Sequence, residues 1–113
     1  MKSAPTHLTP GCPVRTALEM LGGKWRLLIL RSLASGPLRY GQLRQQLPEL
    51  SEKMLAQELK NLVDADLLVR RNYGEVPPRV DYALAPRGEL ALPVLEALLN
   101  FGLAYVEGPP HAV

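Results

Sequence analysis

The feature that most constrains this chain is a short, sharply ended helix followed at once by a capped amphipathic one. Residues 40–47 carry apolar side chains at helical spacing, and Pro48 ends that helix because proline disfavours helical backbone in the residue before it. Ser51 is a strong N-cap for a second helix over residues 52–65, which has an apolar stripe and an opposite polar face. Two helices joined by such a short turn predict a helix-turn-helix motif.

The polar face of the second helix supplies the first candidate binding residues. Lys53 and Lys60 suit phosphate or guanine edges, and Gln57 suits a bidentate contact with adenine. Ser51 and Met54, at the start of the helix, complete the set that we expect at DNA. A solvated helix face is the common alternative for such residues. Their position directly after the turn favours insertion into the major groove, which admits one α-helix.

A hairpin follows the second helix and makes the predicted motif a winged one. The strand-like segments 67–73 and 79–84 flank a loop with two prolines, too long for a two-residue turn. Arg79, at the base of this wing, either contacts phosphate or the minor groove or pairs with Asp81 or Glu75. The sequence leaves both interpretations open.

The cations of the chain are concentrated in its central part. Residues 24–87 hold eleven Lys or Arg against seven Asp or Glu, whereas the whole chain has a net charge of only +2. A basic segment of this kind suits a polyanion such as double-stranded DNA. We expect Arg39, at the start of the first motif helix, to contact phosphate. Arg70 and Arg71 point to opposite faces of a strand, so at most one of them faces DNA.

Terminal helices are predicted on both sides of the motif. Pro13 opens the first, over residues 13–21, and Gly22 ends it; the last covers residues 86–106 and is kinked or divided at Pro93. Their apolar faces exceed what a small core with a short hairpin can cover, so we expect a homodimer paired through them. Two-fold symmetry then predicts an inverted-repeat DNA site. The predicted fold class is mainly α with a small β-hairpin (α+β), a winged helix-turn-helix with terminal dimerisation helices.

A further helix is predicted over residues 24–35, between the first terminal helix and the motif. Trp25 shares one face of it with Leu28 and Ile29 at helical spacing. We therefore expect Trp25 in the core rather than in a ligand-stacking site.

The length of the chain suits one folded domain. We expect a flexible arm at residues 1–11, the winged domain with its dimerisation helices at residues 12–106, and a disordered tail at residues 107–113. The apolar run at residues 27–30 is far too short to cross a bilayer, and the first residues lack the apolar stretch of a signal peptide. With one cysteine and no disulfide framework, the expected location is the cytoplasm, with no membrane partner.

Catalytic and metal-binding functions have little support in the residue types present. His7 and His111 are the only histidines, and with one cysteine they cannot form a closed metal site. The chain has neither a nucleophile–base set nor a Gly-rich phosphate loop. We therefore expect a protein that is not an enzyme and needs no cofactor.

Six short segments carry a family resemblance: Cys12-Pro13-Val14, Gly22-Gly23-Lys24-Trp25, Leu38-Arg39-Tyr40, Ser51-Glu52-Lys53-Met54-Leu55, Leu67-Leu68-Val69-Arg70-Arg71 and Glu75-Val76-Pro77-Pro78-Arg79-Val80-Asp81-Tyr82. Together they resemble the HxlR family of winged-helix regulators, over roughly residues 12–105. The resemblance implies a cytoplasmic homodimer that pairs through its terminal helices and binds an inverted repeat near a promoter.

Four positions depart from the usual family pattern. Asp66 stands where glycine is usual after the second motif helix, and Asp adopts the required left-handed conformation at some cost. Ala56 replaces a frequent Thr or Ser and so removes any DNA contact from that hydroxyl. Ala85 replaces a frequent Thr that would cap the last helix. Phe101 stands where an aromatic residue, often Trp, is usual.

Cys12 is the candidate for a regulatory site. A free cysteine is usually a small, inert, buried side chain. Cys12, however, precedes Pro13 at a helix N-terminus with Arg15 nearby, and these surroundings favour the thiolate. In the HxlR family a cysteine at this place serves some members as a sensor of electrophiles or oxidants. The resemblance therefore implies the hypothesis that modification of Cys12 switches DNA binding.

Two alternatives remain open at this point. The winged domain could bind a protein instead of DNA, or a small ligand between the terminal helices could replace thiol modification as the signal. Loss of DNA binding at moderate salt with an intact dimer would favour the first. A ligand-dependent melting shift in the Cys12→Ser protein would favour the second.

Overall fold

The computed structural model describes residues 11–108, in which helices surround a small sheet. The helices are α1 (Pro13–Leu21), α2 (Arg26–Ser32), α3 (Tyr40–Gln46), α4 (Glu52–Asp64), α5 (Pro86–Glu89) and α6 (Leu92–Glu107), and the strands are β1 (Leu38–Arg39), β2 (Leu68–Asn72) and β3 (Val80–Leu84). The predicted class, mainly α with a small β-hairpin, is confirmed. Nearly all of the expected arm and tail lies outside the described residues.

The sheet is antiparallel, with β3 between β1 and β2. β2 and β3 form the predicted wing, in a register that sets Leu68 opposite Leu84. The N–H of Tyr73 donates to the carbonyl of Arg79 at 3.1 Å and closes the loop beyond the strands. β1 was not predicted, because two residues are too few to show the alternation that marks a strand.

The core lies between α2, α3, α4 and the sheet. Its buried members are Ile29, Leu30, Leu33, Leu43, Leu47, Leu50, Leu55, Leu59, Leu62, Leu67, Leu68 and Ala91. Trp25 packs against this cluster, as predicted. The prediction for Leu28 is wrong: it is 37% exposed, and Leu30 is fully buried in its place. α2 begins only at Arg26, so Trp25 precedes the helix and its spacing to Leu28 does not define a common face.

α4 ends in a left-handed turn. Asp66 has a φ of +64°, which is the conformation expected for it from the sequence. The N–H of Leu67 donates to the carbonyl of Leu62 at 2.9 Å, and the N–H of Asp66 to that of Val63 at 3.0 Å. These bonds satisfy the last carbonyls of α4 and direct the chain into β2, which places the wing next to α4.

The last helical segment is divided, as its internal proline predicts. α5 ends at Glu89 and α6 begins at Leu92, with Pro93 in the first turn of α6. Proline is tolerated there because the first N–H groups of a helix have no helical acceptor. α6 then continues to Glu107.

The terminal helices α1 and α6 contain no buried residue. Their exposed large apolar side chains are Val14, Leu18, Val94, Leu98, Leu99, Phe101, Leu103, Tyr105 and Val106. The stretch Pro86–Glu107 is long and apolar enough to cross a membrane by length and composition. The expectation of no membrane partner considered only the shorter apolar run at residues 27–30. A wide apolar surface therefore remains uncovered in a single chain.

Candidate DNA-binding surface

Two side-chain hydrogen bonds fix the turn between α3 and α4. Arg44 donates to the carbonyl of Leu50 in the turn, and the hydroxyl of Tyr40 donates to the carbonyl of Glu52 at 3.2 Å. The guanidinium of Arg44 is partly buried because it satisfies a turn carbonyl. The angle between the two motif helices is thus held by side chains as well as by Pro48.

α4 presents one polar face to solvent. Ser51 caps the helix, since its Oγ accepts a hydrogen bond from the N–H of Met54 at 3.1 Å. Lys53, Gln57 and Lys60 lie opposite the buried leucines and are exposed, and Met54 is 44% exposed beside the cap. The structure brings these five predicted residues together on one helix. Their contact with DNA stays a prediction.

Two of these side chains have partners one turn along α4. Lys60 Nζ lies 3.5 Å from Asp64 Oδ2, and Gln57 Nε2 donates to Asn61 Oδ1 at 3.1 Å. Exposed pairs at this spacing are worth only about 0.2–0.5 kcal/mol. A phosphate or a base edge can therefore replace either partner at little cost.

Arg26, which the sequence did not single out, connects three helices behind this face. Its Nε donates to Glu58 Oε1 on α4 at 2.9 Å. Its Nη1 donates to the carbonyls of Met20 at 3.2 Å and Glu19 at 3.5 Å, at the end of α1. No local pattern indicates this contact, because Arg26 and Glu58 lie 32 positions apart.

Arg39 lies where the sequence predicts, at the start of α3. It is exposed and is the N-cap residue, and its N–H donates to Gln42 Oε1 at 2.8 Å. This bond satisfies one donor at the start of the helix, while the guanidinium extends into solvent. The geometry is compatible with the predicted phosphate contact, which stays a prediction.

Arg79 is paired within the wing. Its Nη2 lies 3.5 Å from Asp81 Oδ2 and its Nη1 lies 3.9 Å from Glu75 Oε2. The guanidinium carbon also lies 4.3 Å from the centre of the Tyr73 ring. Of the two interpretations left open, pairing is thus present in the free protein. The side chain remains 37% exposed, so a DNA contact from Arg79 stays a prediction.

Cys12 is a free, partly buried cysteine at the N-cap of α1. Its carbonyl accepts a hydrogen bond from the N–H of Thr16 at 3.0 Å. Val14 and Leu18, further along the same helix, are 70% and 66% exposed. Cys12 therefore lies at the edge of the uncovered apolar surface of α1.

Within residues 11–108, no group of three or more His, Cys, Asp or Glu side chains could hold a metal ion. His7 and His111 lie outside the described residues. The described part of the chain therefore offers no candidate metal site.

A capped polar helix after a fixed turn, followed by an antiparallel hairpin, defines a winged-helix DNA-binding protein. The sequence profile of the HxlR-like helix-turn-helix family matches residues 20–109. The chain belongs to this family, and it is a winged-helix DNA-binding transcriptional regulator.

Individual relatives agree with this assignment. An HTH-type transcriptional regulator of Methanothermobacter thermautotrophicus, itself uncharacterized, is 38% identical over 94 residues, which are 83% of this chain and 72% of that protein. A solved protein from Porphyromonas gingivalis W83, described as a transcriptional regulator of the MarR family, is 43% identical. The match covers 84% of this chain and 93% of that one, with a TM-score of 0.80.

A solved redox regulator is also similar to this chain. The structure of HypR in its oxidized form matches with a TM-score of 0.78 and 28% identity. The match covers 89% of this chain and all of that one. The fold found here is therefore shared with a protein described as redox-responsive.

Proposed function

We propose that this chain acts in the cytoplasm as a homodimer that binds an inverted-repeat operator and regulates transcription of nearby genes. α4 enters the major groove with Lys53, Gln57 and Lys60 facing the DNA, while the start of α3 and the wing lie along the backbone. Two-fold symmetry sets the two α4 helices about 34 Å apart, or at a near multiple of that distance.

The observation that carries the dimer is the absence of any buried residue in α1 and α6. Phe101 is 67% exposed and stacks on Tyr105, which lies one turn along the same helix and is itself 79% exposed. Monomeric soluble proteins rarely leave an apolar patch of this extent in water. A second copy, with the same two helices, offers a matching apolar surface.

The same apolar surface raises the question of a membrane. α6 has 16 residues, and at 1.5 Å per residue it is about 24 Å long, short of the ~30 Å hydrocarbon core. The preceding helix α5 is separate from it and contains Arg87 and Glu89. Glu96 and Asn100 interrupt the apolar surface of α6. These features favour protein–protein pairing over insertion into lipid.

The first test measures mass and DNA binding together. Light scattering on the full chain should give twice its mass of 12.5 kDa. Duplexes selected from a random library should share two inverted half-sites with the spacing given above. A monomer that selects single half-sites would contradict the dimer. Failure to bind any duplex at moderate salt would contradict the DNA-binding function and favour a protein-interaction module.

A variant assigns the dimer surface. Phe101→Glu should give the mass of a single chain, because it places a charge in the proposed interface. Val76→Glu makes the same chemical change at a side chain that is 98% exposed in the wing loop, and it should remain dimeric. Equal masses for the two variants would contradict pairing through α6.

Thiol modification of Cys12 is the proposed signal. With a single cysteine per chain, two Cys12 thiols from two subunits lose two protons and two electrons to an oxidant such as diamide and form one disulfide. The position of Cys12 at the start of α1 and the similarity to a redox regulator support this proposal. Diamide should change operator affinity of the native dimer and not of Cys12→Ser. Equal responses would contradict it.

A second candidate signal is a small apolar ligand. A cavity of about 380 Å³ lies between α2 and α6, and its lining includes Leu27, Leu28, Leu95 and Leu99 together with Arg31 and Glu96. Its size is in the range of small-molecule sites. A ligand that raises the melting temperature of Cys12→Ser and alters its operator affinity would support this candidate over thiol modification.

A further inference from the structure

Asp81 is the buried charged residue of the described chain. It lies on the central strand β3 and is only 5% exposed. Its Oδ2 faces Arg79 Nη2 at 3.5 Å, a long contact for a charged pair. Its Oδ1 has no hydrogen-bond partner, and neither has the buried Nε of Arg79. Burying a carboxylate with an unsatisfied oxygen costs folding free energy. The stability of the sheet therefore does not explain why Asp81 is buried here.

The register of the sheet surrounds Asp81 with arginines. Arg39 on β1 and Arg71 on β2 are its direct partners on the two neighbouring strands. Directly opposed residues point to the same face of a sheet, and so do residues two positions apart along a strand. Arg39, Arg71 and Arg79 therefore share one face with Asp81. Arg70, opposite Tyr82, lies on the other face, which also carries the core residue Leu68.

This arginine face is continuous with the start of α4. Arg39 precedes Tyr40, whose hydroxyl donates to the carbonyl of Glu52 in the first turn of α4. The helix that enters the major groove and the arginines of the sheet are thus connected through a single side chain.

We propose that Asp81 is a positioning residue for DNA binding, which holds Arg79 at the base of the wing so that Arg79, together with Arg39 and Arg71 on the same face of the sheet, binds backbone phosphate. Without the carboxylate, the guanidinium of Arg79 loses its buried partner. With it, Arg79 is held at the base of the wing before DNA arrives. The proposal needs DNA binding alone and does not depend on the proposed dimer or thiol signal.

Opposite charge effects make the proposal testable. Asp81→Asn keeps the shape of the side chain and raises the net charge by one. Charge alone then predicts tighter binding to every duplex. Loss of positioning predicts the reverse. Because backbone phosphates are present in every duplex, we expect about tenfold weaker binding to a selected operator and to an unrelated duplex, equivalent to about 1.4 kcal/mol. The slope of log affinity against log salt should also fall by about one, the value for one lost phosphate contact.

Glu75→Gln is the matched control. Glu75 is a second carboxylate beside Arg79, at 3.9 Å, but its side chain is 52% exposed. Its neutralisation should strengthen binding to operator and unrelated duplex alike. If Asp81→Asn also strengthens both, Asp81 is only a counter-charge and the proposal is wrong. If Asp81→Asn weakens binding only together with a lower melting temperature and leaves the salt slope of the native protein unchanged, its role is only structural and the proposal is equally wrong.

A second arm avoids any change at Asp81, in case Asp81→Asn does not fold. Arg71→Gln should reduce the slope of log affinity against log salt by about one, the value for one lost phosphate contact. Arg70→Gln, the neighbouring change on the other face, should leave the slope unchanged. Equal slopes for the two variants would overturn the assignment of phosphate binding to the face of Asp81, even where the native protein binds its operator.

Discussion

Arg26 and Glu58 meet in an ion pair of 2.9 Å although 32 positions separate them in the chain. Their side chains are 24% and 27% exposed, so water screens the pair only in part. The same guanidinium holds carbonyls at the end of α1. α1, which carries part of the uncovered apolar surface, and α4, the helix proposed to enter the major groove, are therefore joined through one side chain.

Removing this pair should lower stability. Arg26→Gln leaves the carboxylate of Glu58 half-buried without its partner and frees two carbonyls of α1, at a cost of about 2 kcal/mol. A double-mutant cycle with Glu58→Gln, measured by urea unfolding, isolates the pair itself. The exposed pair Lys60–Asp64 serves as control, and its coupling energy should stay below about 0.5 kcal/mol. Equal coupling energies for the two pairs would contradict the structural role given to Arg26.

Ser51 combines two roles that substitutions can separate. Ser51→Ala removes the acceptor for the N–H of Met54 and should cost about 1 kcal/mol of unfolding free energy. Ser51→Asp keeps the cap and suits the helix dipole, so stability should hold. Its negative charge at the proposed DNA surface should nevertheless weaken DNA binding. Native affinity in the Asp variant would show that residue 51 does not approach DNA.

Lys60 should act as a phosphate contact. Lys60→Ala should weaken binding across all sequences and reduce the salt slope by about one. The exposed pair with Asp64, at 3.5 Å, is too weak to withhold the ammonium group from DNA. Arg87→Ala removes a cation from α5, beyond the end of β3 that is remote from the wing loop, and should not change the slope. An anisotropy titration over several salt concentrations measures both variants.

Asp66 carries a cost that glycine would relieve. At a φ of +64° a side chain with a Cβ is strained. Asp66→Gly relieves this strain and should raise the unfolding free energy by about 1 kcal/mol. The greater conformational freedom of glycine in the unfolded chain offsets part of that gain. Asp66→Ala keeps the Cβ and loses the local hydrogen bonding that helps Asp adopt this conformation. It should therefore be less stable than the native chain, and the reverse order would contradict the strain.

The features that the sequence could predict are those decided by neighbouring residues. The cap at Ser51, the helix end at Pro48, the left-handed Asp66 and the division ahead of Pro93 each depend on a few positions in a row. The polar face of α4 follows from a period of 3.6 residues. Such local rules were enough for the order of the longer helices and the two wing strands, and for the helix that carries the candidate site.

The features that escaped prediction depend on residues that meet only after folding. β1 exists because Leu38 and Arg39 pair with β3, more than forty positions later. The sequence does not decide whether Arg79 pairs with Asp81 or contacts DNA, because a carboxylate and a phosphate bind the same guanidinium group. No local pattern distinguishes Arg26 from a surface cation, because its partner Glu58 lies 32 positions away. The prediction for Leu28 is wrong because α2 begins only at Arg26, and no local signal in the sequence marks that start.

Gly88 illustrates the same limit and gives the last prediction. A Cβ at this position would lie 2.0 Å from the carbonyl oxygen of Leu67. That oxygen also accepts a hydrogen bond from the N–H of Ala85 at 3.0 Å, so it cannot move away without breaking the bond that holds the start of α5. Gly88→Ala should therefore destabilise the domain by about 1–3 kcal/mol, as an overpacked core does.

Gly41→Ala is the control, because a Cβ there meets nothing within 4 Å. Removing this helical glycine should stabilise α3 by about 0.5–1 kcal/mol. Thermal or urea unfolding should move the two variants in opposite directions, and a Gly88→Ala protein as stable as the native chain would show that α5 does not lie this close to Leu67.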